Sequence, residues 1–274
     1  MKFEFKFFKH CSLAFAFGSI AVQVSIAQIE FTEHTIDDDF DGAGCVYAID
    51  VDGDGDIDVL GASMYGSGIR WWENDGNQNF REHIIEGDYN QGEAVFAIDL
   101  DSDDDIDVLA AAFGPQRTDW WENDGDENFT QHTLDNNLQG PTDVFAIDLD
   151  SDGDVDVLGA ADIAGVISWW ENDGDANFTH HTVGNLRSAY SVYATDLDGD
   201  GDVDVLGASI SVNDGSISWW ENRGNGNFTE HYADEEYNCA VSVYAIDVNG
   251  DNSVDVLGTS SIDEENNLVG KRWR

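Results

Sequence analysis

Beyond residue 28 the apolar and polar positions follow a short recurring rhythm, not a helical one. The stretch Val46-Tyr-Ala-Ile-Asp-Val-Asp-Gly-Asp-Gly-Asp-Ile-Asp-Val-Leu60 returns at Val95, Val144, Val192 and Val243, at spacings of 49, 49, 48 and 51 residues. Behind the first four copies comes Trp-Trp-Glu-Asn, from Trp71, Trp120, Trp169 and Trp219. A Gly/Asn/Asp turn follows, and then Asn-Phe-x-x-His from Asn79, Asn128, Asn177 and Asn227. Each unit divides into four apolar runs of strand length. Residues 46–50 are small and β-branched, 58–63 apolar, 69–73 carry the two tryptophans, and 80–85 alternate. β-branched and aromatic residues fill the runs and turn formers separate them, with no 3.6-residue apolar period in between. The pattern predicts an all-β fold, a β-propeller of four-stranded blades, because a ring of such units leaves only short, protected edges.

The two ends of the sequence complement each other. Glu30-Phe-Thr-Glu-His-Thr-Ile36 reads as the fourth strand of a unit whose first three are missing. The last copy has its first two strands at 243–260, and Gly270-Lys-Arg-Trp-Arg274 aligns with Gly68-Ile-Arg-Trp-Trp72. The expectation is five blades closed by the N-terminal strand, the alternative being part of a seven-bladed ring. Cys45 and Cys239 precede the first strands of blades that would be neighbours in a closed ring. They either staple the closure as a disulfide or remain two small thiols in the interior. Residues 1–27 read as a signal peptide: Lys2, Lys6 and Lys9 precede an apolar stretch ending in the small residues Ser25 and Ala27. Residues 28–274 are then one propeller domain, secreted or at the cell surface, with no membrane insertion once the signal is removed.

Charge sharpens this picture. The chain of 274 residues carries 57 acidic and 11 basic side chains, a net charge of −46, which excludes a nucleic-acid partner for want of any basic stripe. Hydrophobic residues still make up 41%, so the acidity does not imply disorder. Much of the charge sits between the first and second strands of each unit, in the pattern D-x-D-x-D-G-x-x-D. The loops hold Asp50, Asp52, Asp54, Asp56 and Asp58; Asp99, Asp101, Asp103, Asp105 and Asp107; Asp148, Asp150, Asp152, Asp154 and Asp156; Asp196, Asp198, Asp200, Asp202 and Asp204; and Asp247, Asn249, Asp251, Ser253 and Asp255. Alternating carboxylates at positions 1, 3, 5 and 9 of a curled loop, with a backbone carbonyl from position 7, offer the hard oxygens that calcium takes. Position 6 needs a left-handed backbone, supplied by Gly55, Gly153 and Gly201, while Asp104 and Asn252 stand there in copies two and five. Crowding 24 carboxylates into five nine-residue windows is costly without a cation, so up to five calcium ions are expected.

With these loops between strands, the chain resembles the FG-GAP/VCBS-repeat propellers, whose calcium loops look like those of the integrin α-subunit head and of some fungal propeller lectins. The resemblance covers nearly all of residues 29–274. It implies calcium binding and a function drawn from cell-surface adhesion, carbohydrate binding or scaffolding; fold alone does not choose among them.

The remaining repeated residues are read by position. The tryptophan pairs either stack on sugars or pack between blades, and recurrence at one strand position favours packing. His34, His83, His132, His181 and His231 recur once per unit, which favours a structural role over a metal ring. Specificity is expected where the repeats stop matching, in loops holding Tyr65, Tyr89, Phe113, Arg117, Arg187, Tyr190 and Tyr237. Alanine at Arg117 or Arg187 is expected to weaken ligand binding without lowering the melting temperature. No G-x-S-x-G, H-E-x-x-H or isolated reactive cysteine is present, and nearly every polar feature is replicated. The expectation is a non-enzymatic binding or adhesion module for a glycan or a cell-surface protein. A polysaccharide-cleaving, lyase-like enzyme and a purely structural repeat protein are the alternatives.

Overall fold

The computed structural model describes residues 32–66, 68–224, 226–261 and the strand at 269–272. The chain divides into two compact units, 1–35 and 36–274. In the first, residues 1–27, expected to be a signal peptide, and Glu30 and Phe31 lie outside the described residues, and 32–35 form no strand.

In the second unit the described residues form nineteen strands and no helix, arranged as consecutive antiparallel meanders. The first sheet joins β1 (Ala43–Ile49), β2 (Asp58–Ser63), β3 (Ile69–Asn74) and β4 (Phe80–Glu86). The second joins β5 (Gly92–Ile98), β6 (Asp107–Ala112), β7 (Arg117–Asn123) and β8 (Phe129–Asp135). The third holds β9 (Pro141–Ile147), β10 (Asp156–Ala161), β11 (Val166–Asn172) and β12 (Phe178–Asn185). The fourth holds β13 (Ala189–Thr195), β14 (Asp204–Ser209), β15 (Ile217–Asn222) and β16 (Phe228–Asp234). The fifth has β17 (Ala240–Ile246), β18 (Asp255–Ser260) and β19 (Val269–Arg272), three strands among the described residues.

Composition explains each strand's place. The second strands (DVLGAS, DVLAAA, DVLGAA) are almost wholly buried, small and apolar because both of their faces are covered. The fourth strands expose Arg81, Glu82, Thr130 and Gln131, polar and charged side chains that blunt a sheet edge. Cores lie between successive sheets: Trp71 and Leu60 meet Val95 and Trp121, and Leu109 and Trp120 meet Val144 and Trp170. Leu158 and Trp169 meet Val192 and Trp220 in the same way.

Sheet follows sheet through the first strands, whose aromatic rings form one ladder. Tyr47, Phe96, Phe145, Tyr193 and Tyr244 stand at centroid distances of 4.7, 5.1, 5.0 and 4.6 Å. Among the described residues the ladder is open at both ends. Val95, Val144, Val192 and Val243 are 4–5% exposed, whereas Val46, the same repeat position with no sheet before it, is 67% exposed. At the far end Tyr244 and Ile246 are 46% and 48% exposed. Cys45 and Cys239 are free thiols. Cys45 lies on β1, while Cys239 occupies the left-handed turn before β17 (φ 54°), the place held by Gly42 in the first unit, so the two are not equivalent.

Candidate metal centres and ligand face

The acidic loops connect the first and second strands, and backbone amides hold their curl. In the first loop the position-1 carboxylate, Asp50 Oδ2, accepts the Gly55 N–H at 2.9 Å. Asp52 Oδ1 accepts from Asp54 N–H (3.2 Å) and Asp54 Oδ1 from Asp56 N–H (2.8 Å). The second, third and fourth loops repeat the bond from position 6 to position 1 at 3.1 Å each. Position 6 is left-handed in every copy, including Asp104 (φ 75°) and Asn252 (φ 66°). Position 4 is left-handed too, through Gly53, Ser102, Ser151, Gly199 and Gly250, a second constraint that the motif did not announce.

Position 9 is a clamp. Asp58 Oδ2 accepts the Val51 N–H at 2.9 Å and Oδ1 accepts the Asn74 N–H at 2.7 Å, tying the loop to the end of β3. Asp107, Asp156 and Asp204 do the same with Leu100 and Asn123, Leu149 and Asn172, and Leu197 and Asn222. The partner is the asparagine of Trp-Trp-Glu-Asn, a functional position overlooked in the sequence, although its repetition beside the tryptophans was a signal.

Positions 1, 3 and 9 converge. Asp50, Asp52 and Asp58 each offer an oxygen within 4.8 Å of the other two, as do Asp99, Asp101 and Asp107; Asp148, Asp150 and Asp156; and Asp196, Asp198 and Asp204. Asp54, Asp103, Asp152 and Asp200 at position 5 are not part of these groups; their carboxylates accept the position-7 amide instead. At position 7, Asp154 packs against the turn after Trp-Trp-Glu-Asn. A Cβ on Gly174 (φ 81°) would sit 2.7 Å from Asp154 Oδ2, which fixes a glycine there. In the fifth loop Asn249 Nδ2 donates to Asp255 Oδ2 at 3.2 Å, and among the described residues no third carboxylate joins the group. Four of the five loops therefore bring three of their four expected carboxylates together, without position 5.

A divalent cation fits these groups. Asp50 Oδ1, Asp101 Oδ1 and Asp148 Oδ1 are buried and accept no hydrogen bond, one oxygen in each of the first three loops. Burial pushes the carboxyl of Asp107 up to about 7 and those of Asp156 and Asp204 up to about 6, and the neighbouring carboxylates push the same way. Buried carboxylates without partners are expensive, and a cation removes both the orphaned acceptor and the repulsion. Oxygen-only ligands select a hard ion.

The FG-GAP-like repeat profile matches residues 50–110, 99–159, 148–207 and 208–258, each span carrying one or two of these loops. The chain belongs to the FG-GAP-like repeat family. Among solved structures the V. cholerae biofilm matrix protein Bap1 is similar, with a TM-score of 0.47 and 18% identity. The match covers 80% of this chain and 34% of that one, so this chain spans about a third of its length. No curated protein matches.

Around the FG-GAP-like loops the remaining predicted residues separate into two groups. Each first tryptophan stacks on its histidine, Trp71 on His83 at 4.2 Å and Trp120 on His132 at 4.5 Å. Each histidine Nε2 meets the glutamate of Trp-Trp-Glu-Asn at 2.7–2.8 Å. These tryptophans and His83, His132, His181 and His231 are thus packing residues, whereas His34 is exposed and lies outside any strand. Of the expected ligand residues, Tyr89 and Tyr237 are buried, their hydroxyls donating to Ala110 O (3.0 Å) and Gly258 O (3.2 Å). Arg117 lies over the Tyr89 ring and pairs with the fully buried Asp119 at 2.5 Å. These three belong to the fold, because their apolar and charged atoms are consumed by neighbours. Tyr190 is half-buried. Arg187 is exposed, pairs with Asp214 at 2.8 Å, and lines a cleft of about 700 Å³ between the third and fourth sheets. The β14–β15 connection that supplies Asn213 and Asp214 to this cleft is longer than its counterparts in the first three sheets, and Tyr232 stands 45% exposed beside it.

Proposed function

We propose that this FG-GAP-like chain is a calcium-stabilised extracellular binding module, with its five sheets as blades of a closed propeller and no catalytic activity of its own. Calcium would be held by Asp50, Asp52 and Asp58 and by the matching residues of the second, third and fourth loops. The observation that carries the metal assignment is the buried, partnerless oxygen of Asp50, Asp101 and Asp148. Bound there, calcium supplies charge neutralisation and a tie between loop and sheet; the amide network of each loop orients the carboxylates in advance. Closure is supported by the two ends of the ladder, where Val46 and Tyr244 are exposed.

The ligand is a glycan or a cell-surface protein. The Arg187 cleft is the place to seek it, since it arises where the repeat is broken and combines an exposed tyrosine with amides and carboxylates. Secretion accords with the signal-like residues 1–27.

The experiment is thermal unfolding in millimolar calcium and in EDTA, followed by a glycan array under both conditions. At a hundredfold excess over Kd each ion adds about 2.7 kcal/mol. Four sites then add roughly 11 kcal/mol, which at about 2–4 °C per kcal/mol is a shift of tens of degrees. A melting temperature indifferent to EDTA sinks the metal assignment. A blank array with a calcium-dependent melt moves the ligand from glycans to a protein.

A further inference from the structure

We infer that the second, third and fourth loops bind calcium as a coupled set, through a chain of hydrogen bonds in which the first loop has no share. The inference rests on the calcium reading above and concerns how its sites communicate.

The chain runs from one position-9 carboxylate to the next. Asp107 Oδ2 accepts the Leu100 N–H at 2.9 Å, and the carbonyl of that same residue accepts from Asn172 Nδ2 across the sheet boundary at 3.1 Å. The Asn172 N–H in turn donates to Asp156 Oδ1 at 2.8 Å, and Asp156 Oδ2 accepts the Leu149 N–H at 3.0 Å. Leu149 O accepts from Asn222 Nδ2 at 3.0 Å, and the Asn222 N–H donates to Asp204 Oδ1 at 2.8 Å. Every link is buried. Asn172 and Asn222 are 2% and 1% exposed, Leu100 and Leu149 0% and 1%. Water therefore has no access to exchange with these bonds.

The first loop offers an internal comparison. Asn123 occupies the same repeat position and makes the local bond, Nδ2 to Ile106 O at 3.2 Å, as Asn172 does to Val155 O. Among the described residues it makes no bond across to the first loop.

An ion that fixes Asp107 also fixes the Leu100 peptide, hence Asn172 and the orientation of Asp156. The ordering done for one loop need not be repeated for the next, so the sites gain affinity for one another, and reciprocally.

The amide at position 6 of each loop donates to the position-1 carboxylate and reports on it separately: Gly55, Asp104, Gly153 and Gly201. We would titrate calcium into the isotope-labelled protein and follow these four amides by NMR. Asp150→Ala cripples the third loop without touching the chain of bonds. It is expected to raise the midpoints at Asp104 and Gly201 by about fivefold or more, while Gly55 holds its own. Adding Asn172→Ala should abolish the rise at Asp104 and spare that at Gly201; adding Asn222→Ala should do the reverse, so either variant suffices if the other fails to fold. The inference is overturned if Asp150→Ala moves neither neighbour, if Gly55 moves as far as they do, or if the asparagine variants leave the responses intact. Wild-type amides that ignore calcium altogether would instead remove the calcium reading.

Discussion

Asp119 is fully buried, and two side chains make its charge tolerable: Arg117 at 2.5 Å and the Thr133 hydroxyl at 2.9 Å. Arginine is scarce in this chain, and its rarity made Arg117 look like a ligand residue; the structure pairs it with a buried carboxylate. Removing one partner of a buried pair leaves the other stranded, at about 3–5 kcal/mol, and the part-exposure of Arg117 lowers that to roughly 2–3 kcal/mol. Arg117→Ala is therefore expected to lower the melting temperature, measured at saturating calcium, whereas Arg187→Ala, on a solvent-exposed ion pair, should leave it unchanged. Equal melting temperatures for Arg117→Ala and wild type would contradict the structural role. Neighbouring positions carried clearer sequence signals: the asparagine after Trp-Trp-Glu repeats as faithfully as the tryptophans, and its clamp on position 9 is visible in that repetition once the loop geometry is known.

Between elements, the sheets are joined by apolar packing and by a few polar ties from first strand to first strand. Asp143 on β9 accepts the Val192 N–H of β13 at 2.9 Å, and Ser191 on β13 accepts the Val243 N–H of β17 at 3.4 Å. Burial pushes the Asp143 carboxyl up to about 6, against about 3.9 in an unfolded chain. The native state thus holds this proton more tightly, so the contribution is fully present below about pH 4 and is lost as pH rises through about 6. Across that window it amounts to about 2–3 kcal/mol. Asp143→Asn keeps an oxygen for the Val192 amide and has no charge to bury. Its melting temperature relative to wild type should rise between pH 4 and 7, both proteins being held in saturating calcium. A difference that is flat with pH refutes the assignment. Strand boundaries themselves were legible: the apolar runs 58–63, 69–73 and 80–85 became β2, β3 and β4 with ends within a residue, since turn residues bracket them on both sides.

For the whole molecule, the decisive feature is the exposed end of the sheet array. Val46 is two-thirds exposed, whereas its four repeat counterparts are covered. If the propeller closes through this face, Val46→Asp should destabilise as severely as Val144→Asp, which places a charge between the second and third sheets. A Val46→Asp protein that melts with wild type would mean that the array stays open in solution.

The sequence by itself determined the local alphabet: strands, turns, the left-handed position 6 and the carboxylate rhythm, because each of these depends on spacing within one repeat. Tertiary structure decided which of those residues meet. It drew positions 1, 3 and 9 together and turned position 5 onto an amide, it sank Tyr89 and Tyr237 into the core, and it left Arg187 beside a cleft. The bonds from Asn172 to Leu100 and from Asn222 to Leu149 span about seventy residues of chain. A repeat specifies what each unit contains, but contacts between units depend on how sheets stack, and that follows only from packing one folded unit on the next.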